Sequence, residues 1–429
     1  MLHTKAAFAV PSATNNLIGA VLSGAMLLAS VGIASPARAD PLTFDGAIAR
    51  AQASAPSLTA TALGANASRA DRTAAGALPD PKLSLGVDSF PISGPLAFQP
   101  SRDNFTWVRV GISQDIPNPA KRRAQRIRAD ADIAVAEAGT VLEARNVEVG
   151  TAIAWITLAF AQKRLAAVEA VRAKLDRLVG TTPAAVAAGN ARPGQTLAGR
   201  ASLAELDDRR AELVAAVGRA RADLTRWTGD PEPTVAGPIP DFAVDAPRLQ
   251  AAIDSNPLLA PVEARIGQVA ANVRLAEADR KSDFGVEAAY QHRDPRFGDY
   301  VSAGVTVSLP FFTRRRQSAA IAARQSEAGK VDAERDATRR ELAANLEAGL
   351  ADHVMHHEQW MRSLRTFGPL ARERVDLETA SYAAGRASLV DVVEAHIALV
   401  EVALTTLDRE ALVAIDGARL TLTYRSATR

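Results

Sequence analysis

One segment of this chain occurs twice, and the duplication limits the available folds more than any other feature. The run from Gly111 to Arg123 returns as Gly304 to Arg316, with the glycine, the proline and the basic cluster at the same spacing. In each copy an alternating, strand-like stretch leads into a long alanine-rich helical stretch. A unit of this length that is present only twice indicates a duplicated domain half rather than a solenoid array. We therefore expect two repeats, 40–247 and 248–429.

The segment before the repeats, 1–39, is typical of a secretory signal peptide. Lys5 supplies the positive charge, residues 17–33 are apolar and small, and Ala37-Arg38-Ala39 fits the small-x-small cleavage rule. The alternative is an uncleaved membrane anchor, because the apolar stretch is long. No other segment approaches about 18 continuous apolar residues, so we expect no membrane-spanning helix in the mature chain.

Composition excludes several classes of function. The 50 basic and 48 acidic residues leave a formal charge of +2, so nothing indicates nucleic acid as a partner. There is no cysteine, which excludes disulfides, thiolate metal sites and a lipidated N-terminal cysteine. The sequence contains no Gly-x-Ser-x-Gly, no phosphate-binding glycine loop and no His-Glu-x-x-His. We therefore expect neither an enzyme nor a cofactor.

Period-two alternation predicts two pairs of β-strands, one in each repeat. The predicted strands are 82–90, 104–116, 283–291 and 299–309. Apolar side chains occupy one face, and polar ones such as Arg109 and Glu287 occupy the other. Transmembrane barrels have this pattern in strands of about ten residues, with aromatic residues near the strand ends, although soluble sheets alternate too. Aromatic residues at the strand ends here are Phe105, Trp107, Tyr290 and Tyr300.

Four strands cannot close a membrane barrel, which needs at least about eight. An open sheet would also leave unpaired edges in lipid. If the strands lie in a membrane, the barrel must therefore be shared, and three copies would supply twelve strands.

Long helical runs complete the predicted fold class, which is mainly α with a small β part. We expect helices over 42–77 with a bend at Pro56, 121–179, 248–281 with a bend at Pro257, 314–383 with a break at Gly368-Pro369, and 390–422. The run 314–383 alone would span on the order of 100 Å. Its apolar stripe through Leu342 and Leu346 predicts a coiled-coil face, so the helices would form a barrel beneath the strands.

The strand pairs, the helical hairpins and the duplication together resemble the TolC-like outer-membrane efflux proteins. The most specific local match is the segment from Tyr382 to Ala395, which looks like the family's second-repeat helical turn. The first-repeat counterpart, 186–194, is weaker. The resemblance implies a homotrimer whose twelve-stranded barrel lies in the outer membrane lipid and whose helical barrel crosses the periplasm. It also implies a periplasmic adaptor protein and an inner-membrane pump, of the RND type, as partners.

Three short segments resemble the heavy-metal branch of this family, which exports cobalt, zinc, cadmium or copper. They are Asp80 to Leu83, Ser113 to Pro117 and Lys121 to Arg123. The expected function is accordingly a passive exit duct for heavy-metal cations. The alternatives are a duct for drugs or type I secretion and, from another class, a periplasmic coiled-coil adaptor or scaffold.

The resemblance also implies roles for residues near the second helical turn. Asp391 and Glu394 are three residues apart and so share a helix face. Acidic residues at these positions ring the closed periplasmic aperture of the family, whereas a solvated helix face is the alternative. Tyr382 occupies a position that pins the aperture shut. The position that is basic in the family, and that bonds to this tyrosine, is Ala387 here. Arg386 precedes it by one residue and lies about 100° away around a helix, so the bond that closes the family's aperture lacks its usual partner.

Gly189 and Gly385 are expected at the tips of the two helical turns, because glycine tolerates a positive φ angle. In the family these tips dock on the adaptor. His353 and His357 are weak candidates for metal ligands. They are four residues apart, as in some zinc sites, but a complete site needs three or four ligands. We therefore predict no metal site there.

Overall fold

The computed structural model describes residues 41–187 and 193–425, and within them the chain is mainly helical with one small sheet. The first half contains helices α1 (Phe44–Ser54), α2 (Pro56–Ala74), α3 (Pro119–Gly180), α4 (Thr182–Ala187) and α5 (Pro193–Thr228). The second half contains α6 (Ala246–Ala251), α7 (Ala260–Ala278), α8 (Gln317–Arg362), α9 (Gly368–Ala383) and α10 (Leu389–Tyr424). The strands are β1 (Lys82–Asp88), β2 (Trp107–Ile116), β3 (Phe284–His292) and β4 (Tyr300–Val307). The predicted signal peptide, 1–39, lies outside the described residues.

The four strands form one antiparallel sheet in the order β1-β2-β3-β4. Strands β2 and β3 pair from Val108 with His292 to Ile116 with Phe284, so the central ladder joins the two halves of the chain. The prediction of four strands is confirmed, with ends that differ by at most three residues. The largest difference is at β2, which begins at Trp107 rather than at residue 104.

The register places the apolar side chains of all four strands on one face. Leu85 lies opposite Val110, Val110 opposite Tyr290, and Tyr290 opposite Val301. These side chains are exposed, Leu85 to 73% and Val301 to 80%. The other face carries polar groups, including a long ion pair at 3.9 Å between Arg109 and Glu287. Within the described chain, nothing covers the apolar face.

The helices lie antiparallel to one another, as ion pairs between them record. Arg164 of α3 pairs with Asp408 of α10. Glu148 of α3 pairs at 2.5 Å with Arg425, which follows α10, so the two helices run in opposite directions. The main core lies between α1, α3, α5 and α10 around Trp155, whose indole N–H donates to the Leu42 carbonyl at 2.8 Å. Among the described residues, none of the helices is both long enough and apolar enough to cross a membrane.

Two predicted helices differ from those observed. The run predicted over 248–281 is divided into α6, a 3₁₀ turn at Ile253–Ser255, and α7, because Pro257 cannot continue the first helix. The break predicted at Gly368-Pro369 is a π-helical turn five residues earlier, Ser363–Phe367. The wider turn keeps the rod continuous into α9, which has its proline at the start, where a missing N–H is tolerated.

Asn118 fastens the sheet to the helices at the boundary between β2 and α3. Its side-chain oxygen caps α3 by accepting from the Lys121 N–H at 2.9 Å. Its amide nitrogen donates to the Ala278 carbonyl at 3.2 Å and to Asp283 Oδ1 at 2.9 Å, both in the second half of the chain. Lys121 adds ion pairs with Asp279 at 2.9 Å and with Asp283 at 3.4 Å. The hydrogen bond with Asp279 is the main cause of a raised pKa at Lys121.

We predict that Asn118→Ala destabilises the fold by about 2–4 kcal/mol, because it removes a helix cap and leaves buried polar groups unpaired. The measurement is the free energy of unfolding in detergent. Asp245→Ala is the matched control, since Asp245 caps α6 with one bond, to the Arg248 N–H, and contacts no distant carbonyl. It should cost only about 1 kcal/mol. Equal losses in the two variants would contradict the role given to Asn118.

Candidate functional site

The candidate site lies at the end of the helical bundle away from the sheet. Arg210 of α5 pairs with Glu169 of α3 at 3.0 Å, and Asp207 pairs with Arg172, so α5 runs antiparallel to α3. His356 of α8 pairs with Asp416 of α10 at 2.6 Å, and Arg409 donates to the Gln359 carbonyl at 3.2 Å, so α8 runs antiparallel to α10. A separate core cluster, which includes Leu389 of α10 together with Val179, joins the two hairpins. The carboxyl end of α3 and the turn between α9 and α10 therefore lie at one end of the bundle.

The second turn ends α9 with a Schellman motif. The Arg386 N–H donates to the Ser381 carbonyl at 2.8 Å, and the Gly385 N–H donates to the Tyr382 carbonyl at 2.9 Å. Gly385 has φ +70°, the left-handed conformation predicted for it. Its counterpart in the first turn, Gly189, lies outside the described residues.

Helix α10 begins immediately after this turn with a capping box. Ser388 Oγ accepts from the Asp391 N–H at 3.3 Å, and Asp391 Oδ2 accepts from the Ser388 N–H at 2.7 Å. The bond from the Ser388 backbone is the main cause of a lowered pKa at Asp391, and the Ser388 side chain adds to it. Asp391 is therefore a negative charge at neutral pH and also a part of the helix start.

Asp391 and Glu394 lie on the exposed face of α10, while Val392 and Val393 between them are buried. The two carboxylates thus share one face of α10, as their spacing predicted, and this face is exposed. Tyr382 is about one-third exposed, at 37%, and no bond joins its hydroxyl to another described side chain. The second turn thus carries two carboxylates and one phenol, and within the described chain no side chain bonds to that phenol.

The three histidines of α8 have different surroundings. His356 is occupied by Asp416, whereas His353 and His357 line a shallow cavity with Trp360 and Phe242. Burial lowers the pKa of His353, which favours its neutral form. In the described parts of the chain, no group of three or more acidic or histidine side chains is placed to hold a metal ion.

Sequence reasoning missed a bonded cluster at the π turn between α8 and α9. Arg409 of α10 donates to Ser363 Oγ at 2.5 Å and to the Gln359 carbonyl at 3.2 Å. Ser363 is buried, and its hydroxyl donates to the same carbonyl at 3.1 Å. The nearby Gly-Pro dipeptide was the only sequence sign of an irregular turn, and it gave no indication of the arginine partner.

Comparison with known proteins supports the resemblance drawn from the sequence. Residues 248–423 match the family model described as outer membrane efflux protein. A membrane protein from Pseudomonas aeruginosa has a similar fold, with TM-score 0.75 and 14% identity over 89% of this chain and 90% of that one. CusC gives a TM-score of 0.75 at 13% identity, over 90% and 92% of the two chains. The CmeC outer membrane channel of Campylobacter jejuni gives 0.73 at 11%, over 90% and 87%.

The chain therefore has the fold of these outer-membrane channels, and its second half matches the outer membrane efflux protein family model. The matched family model and the CmeC channel are both described as outer-membrane proteins, in agreement with the predicted location. At these low identities the solved structures establish the fold and not the cargo of this chain. A search of curated protein sequences finds no match.

We predict that Gly385→Ala destabilises the second turn by about 1 kcal/mol, because alanine is strained at a positive φ angle. Hydrogen exchange of the amides from Ser381 to Asp391 measures this locally. Gly329→Ala in α8 is the control, since a Cβ there meets nothing within 4 Å. Alanine at that helical position should stabilise by about 0.5–1 kcal/mol. Unchanged exchange around the turn in Gly385→Ala would show that the strain is absent.

Proposed function

We propose that three copies of this chain form the exit duct of a tripartite efflux system, through which cargo moves passively. The observation that carries the proposal is the uncovered apolar face of a sheet whose two outer strands, β1 and β4, have no further partner strand in the described chain. Lipid can cover the face, but it cannot pair the backbone groups of the edges. Joining β4 of one copy to β1 of the next would pair both edges in a twelve-stranded barrel.

The helices then supply the periplasmic part of the duct. Helix α3 has 62 residues, which corresponds to a length of about 90 Å. In a trimer the helical turns of all copies would meet at the far end. The second turn, 384–388, and the first-turn tip predicted at Gly189 are the surfaces that we assign to a periplasmic adaptor, which would link the duct to an inner-membrane pump of the RND type.

The tip of α10 supports a cation-selective aperture in this trimer. Each chain contributes Asp391 and Glu394 on an exposed helix face, which gives six carboxylates in three copies. A narrow ring of negative charge concentrates cations and repels anions. The capping box keeps Asp391 ionised, and Tyr382 is the residue that we place at contacts between helices in the closed state.

Heavy-metal cations are the cargo that we propose. An acidic aperture favours cations, and three short segments resemble the heavy-metal branch of the family. The experiment is growth of a strain that lacks this chain, across a panel of divalent metals and lipophilic drugs. Sensitivity confined to zinc, cobalt, cadmium or copper, and relieved by the restored chain, is expected. Sensitivity confined to drugs would be consistent with the proposed duct but would contradict heavy-metal cations as its cargo.

The aperture prediction concerns Asp391→Ala combined with Glu394→Ala. We expect weaker cation selectivity and weaker block by divalent cations in planar bilayers, because the charge ring is lost. Since Asp391 also caps α10, Ser388→Ala is the matched control: it breaks the cap and keeps both charges. Glu394→Gln removes one charge and leaves the cap intact, so it should give an intermediate selectivity. The aperture assignment fails if the double variant has the selectivity of the unmodified channel.

A further inference from the structure

The duplicated basic cluster is used differently in its two copies. In the first copy, Lys121 pairs with Asp279 and Asp283, and Arg122 Nε donates to the Gly76 carbonyl at 2.8 Å. In the second copy, residues 314–316 are three exposed arginines. Within the described chain these three side chains make no ion pair and no hydrogen bond. The arginine side chains of the second cluster are therefore without polar partners in the described part of the chain.

Exposed aromatic side chains precede the three arginines. Phe311 is 78% exposed and Phe312 is 75% exposed. They belong to a turn that follows β4 and is closed by bonds such as that from the Arg316 N–H to the Phe312 carbonyl at 3.2 Å. Two phenylalanines beside a row of arginines match a boundary where apolar material meets anionic groups.

More unpaired basic side chains lie at the same end of the sheet. Ion pairs between Arg265 and Glu334 at 3.1 Å and between Arg335 and Glu263 at 3.6 Å set α7 antiparallel to α8. This register brings the end of α7 beside the start of α8. Basic residues there that are exposed and form no ion pair in the described chain are Arg123, Arg274, Arg280 and Lys281. Three of them line one cavity. We call residues 314–316 and these four the basic belt.

The opposite end of the sheet has no such belt, because its arginines are bonded within the loops. Arg293 is buried and donates to the Gly298 carbonyl at 2.6 Å and to Asn104 Oδ1 at 2.8 Å. Arg296 donates to Asp294 at 2.8 Å and to the Ser101 carbonyl at 2.6 Å. The arginine side chains Arg293 and Arg296 at that end are thus held by bonds within the loops, whereas the side chains of the basic belt form no ion pair in the described chain.

We propose that the basic belt binds the phosphates of anionic phospholipids in the periplasmic leaflet of the membrane. This inference rests on the proposed function, which places the sheet in the bilayer and the helices in the periplasm. Guanidinium groups bind phosphate with paired N–H donors, and anionic leaflets attract basic side chains within about a Debye length. Phe311 and Phe312 would insert among the acyl chains next to those headgroups.

The test uses the full-length trimer in detergent and a fluorescent phosphatidylglycerol, with fluorescent phosphatidylcholine for comparison. We expect the unmodified protein to prefer phosphatidylglycerol. The combined Arg314→Gln, Arg315→Gln and Arg316→Gln variant should bind it about tenfold more weakly or worse, since each basic side chain near an anionic surface contributes several-fold. The same three positions changed to lysine should keep most of the preference.

The matched control changes Arg340, Arg372 and Arg374 to glutamine. These are exposed on α8 and α9 far from the sheet and form no ion pair in the described chain, so the loss of charge is equal. It should leave phosphatidylglycerol binding unchanged. Equal weakening in both triple variants would overturn the assignment to the belt, as would an unmodified protein without a lipid preference. Displacement of the lipid by millimolar inorganic phosphate would identify a site for free phosphate instead.

Channel conductance in bilayers of phosphatidylcholine, with and without phosphatidylglycerol, separates this inference from the proposed function. A protein that conducts but shows no lipid preference would contradict only the assignment of lipid binding to the basic belt. A protein that never conducts would contradict the proposed channel function itself.

Discussion

Unpaired backbone groups along β1 and β4 are the constraint on which the rest of the proposed assembly depends. Every interior strand of the sheet is paired on both sides, whereas these two are paired on one side within the described chain. The sheet also has an uncovered apolar face. Water would leave that face exposed, and lipid would leave the backbone groups of the two edges unpaired. A closed barrel made by several copies is the arrangement that we propose, since it pairs the edges and gives the apolar face to lipid. The aperture, the tips and the basic belt acquire their roles from that closure.

The junction beneath the sheet transmits this arrangement to the helices. Asn118 binds groups from both halves of the chain, so strands and helices meet with fixed geometry. The two basic clusters of similar sequence have different surroundings at this level. Lys121 and Arg122 of the first cluster are bonded into the junction, whereas residues 314–316 are exposed. Similar sequence therefore does not fix the role of these side chains, because the partners around them differ.

The sheet was predictable because its pattern is local. Alternation fixes which side chains share a face, so the apolar set through Leu85, Val110 and Val301 followed from the sequence. The turn glycine at 385 was predictable for the same reason, since its φ angle is a local property. The Ser-x-x-Asp pattern at 388–391 is also a local signal, because a serine and an acidic residue at this spacing form the capping box at a helix start.

Features that join distant segments could not be predicted. Asn118 with Asp283, His356 with Asp416 and Arg409 with the π turn each connect residues at least 46 positions apart. A single sequence carries no spacing rule for such partners. The split of the helix predicted over 248–281 has a local cause, at Pro257, but the packing of α7 against α3 and α8 joins distant segments.

Cross-linking between the outer strands tests the shared barrel most directly, and the absence of native cysteine makes it clean. Ser84→Cys in β1 combined with Ser302→Cys or Thr306→Cys in β4 places thiols on the two edges. We expect disulfide-linked dimers and trimers from membranes, with none larger. Ser113→Cys in β2 with Ser302→Cys should give no link between chains, since β2 is an inner strand. Edge thiols that remain free in a conducting channel would contradict the shared barrel.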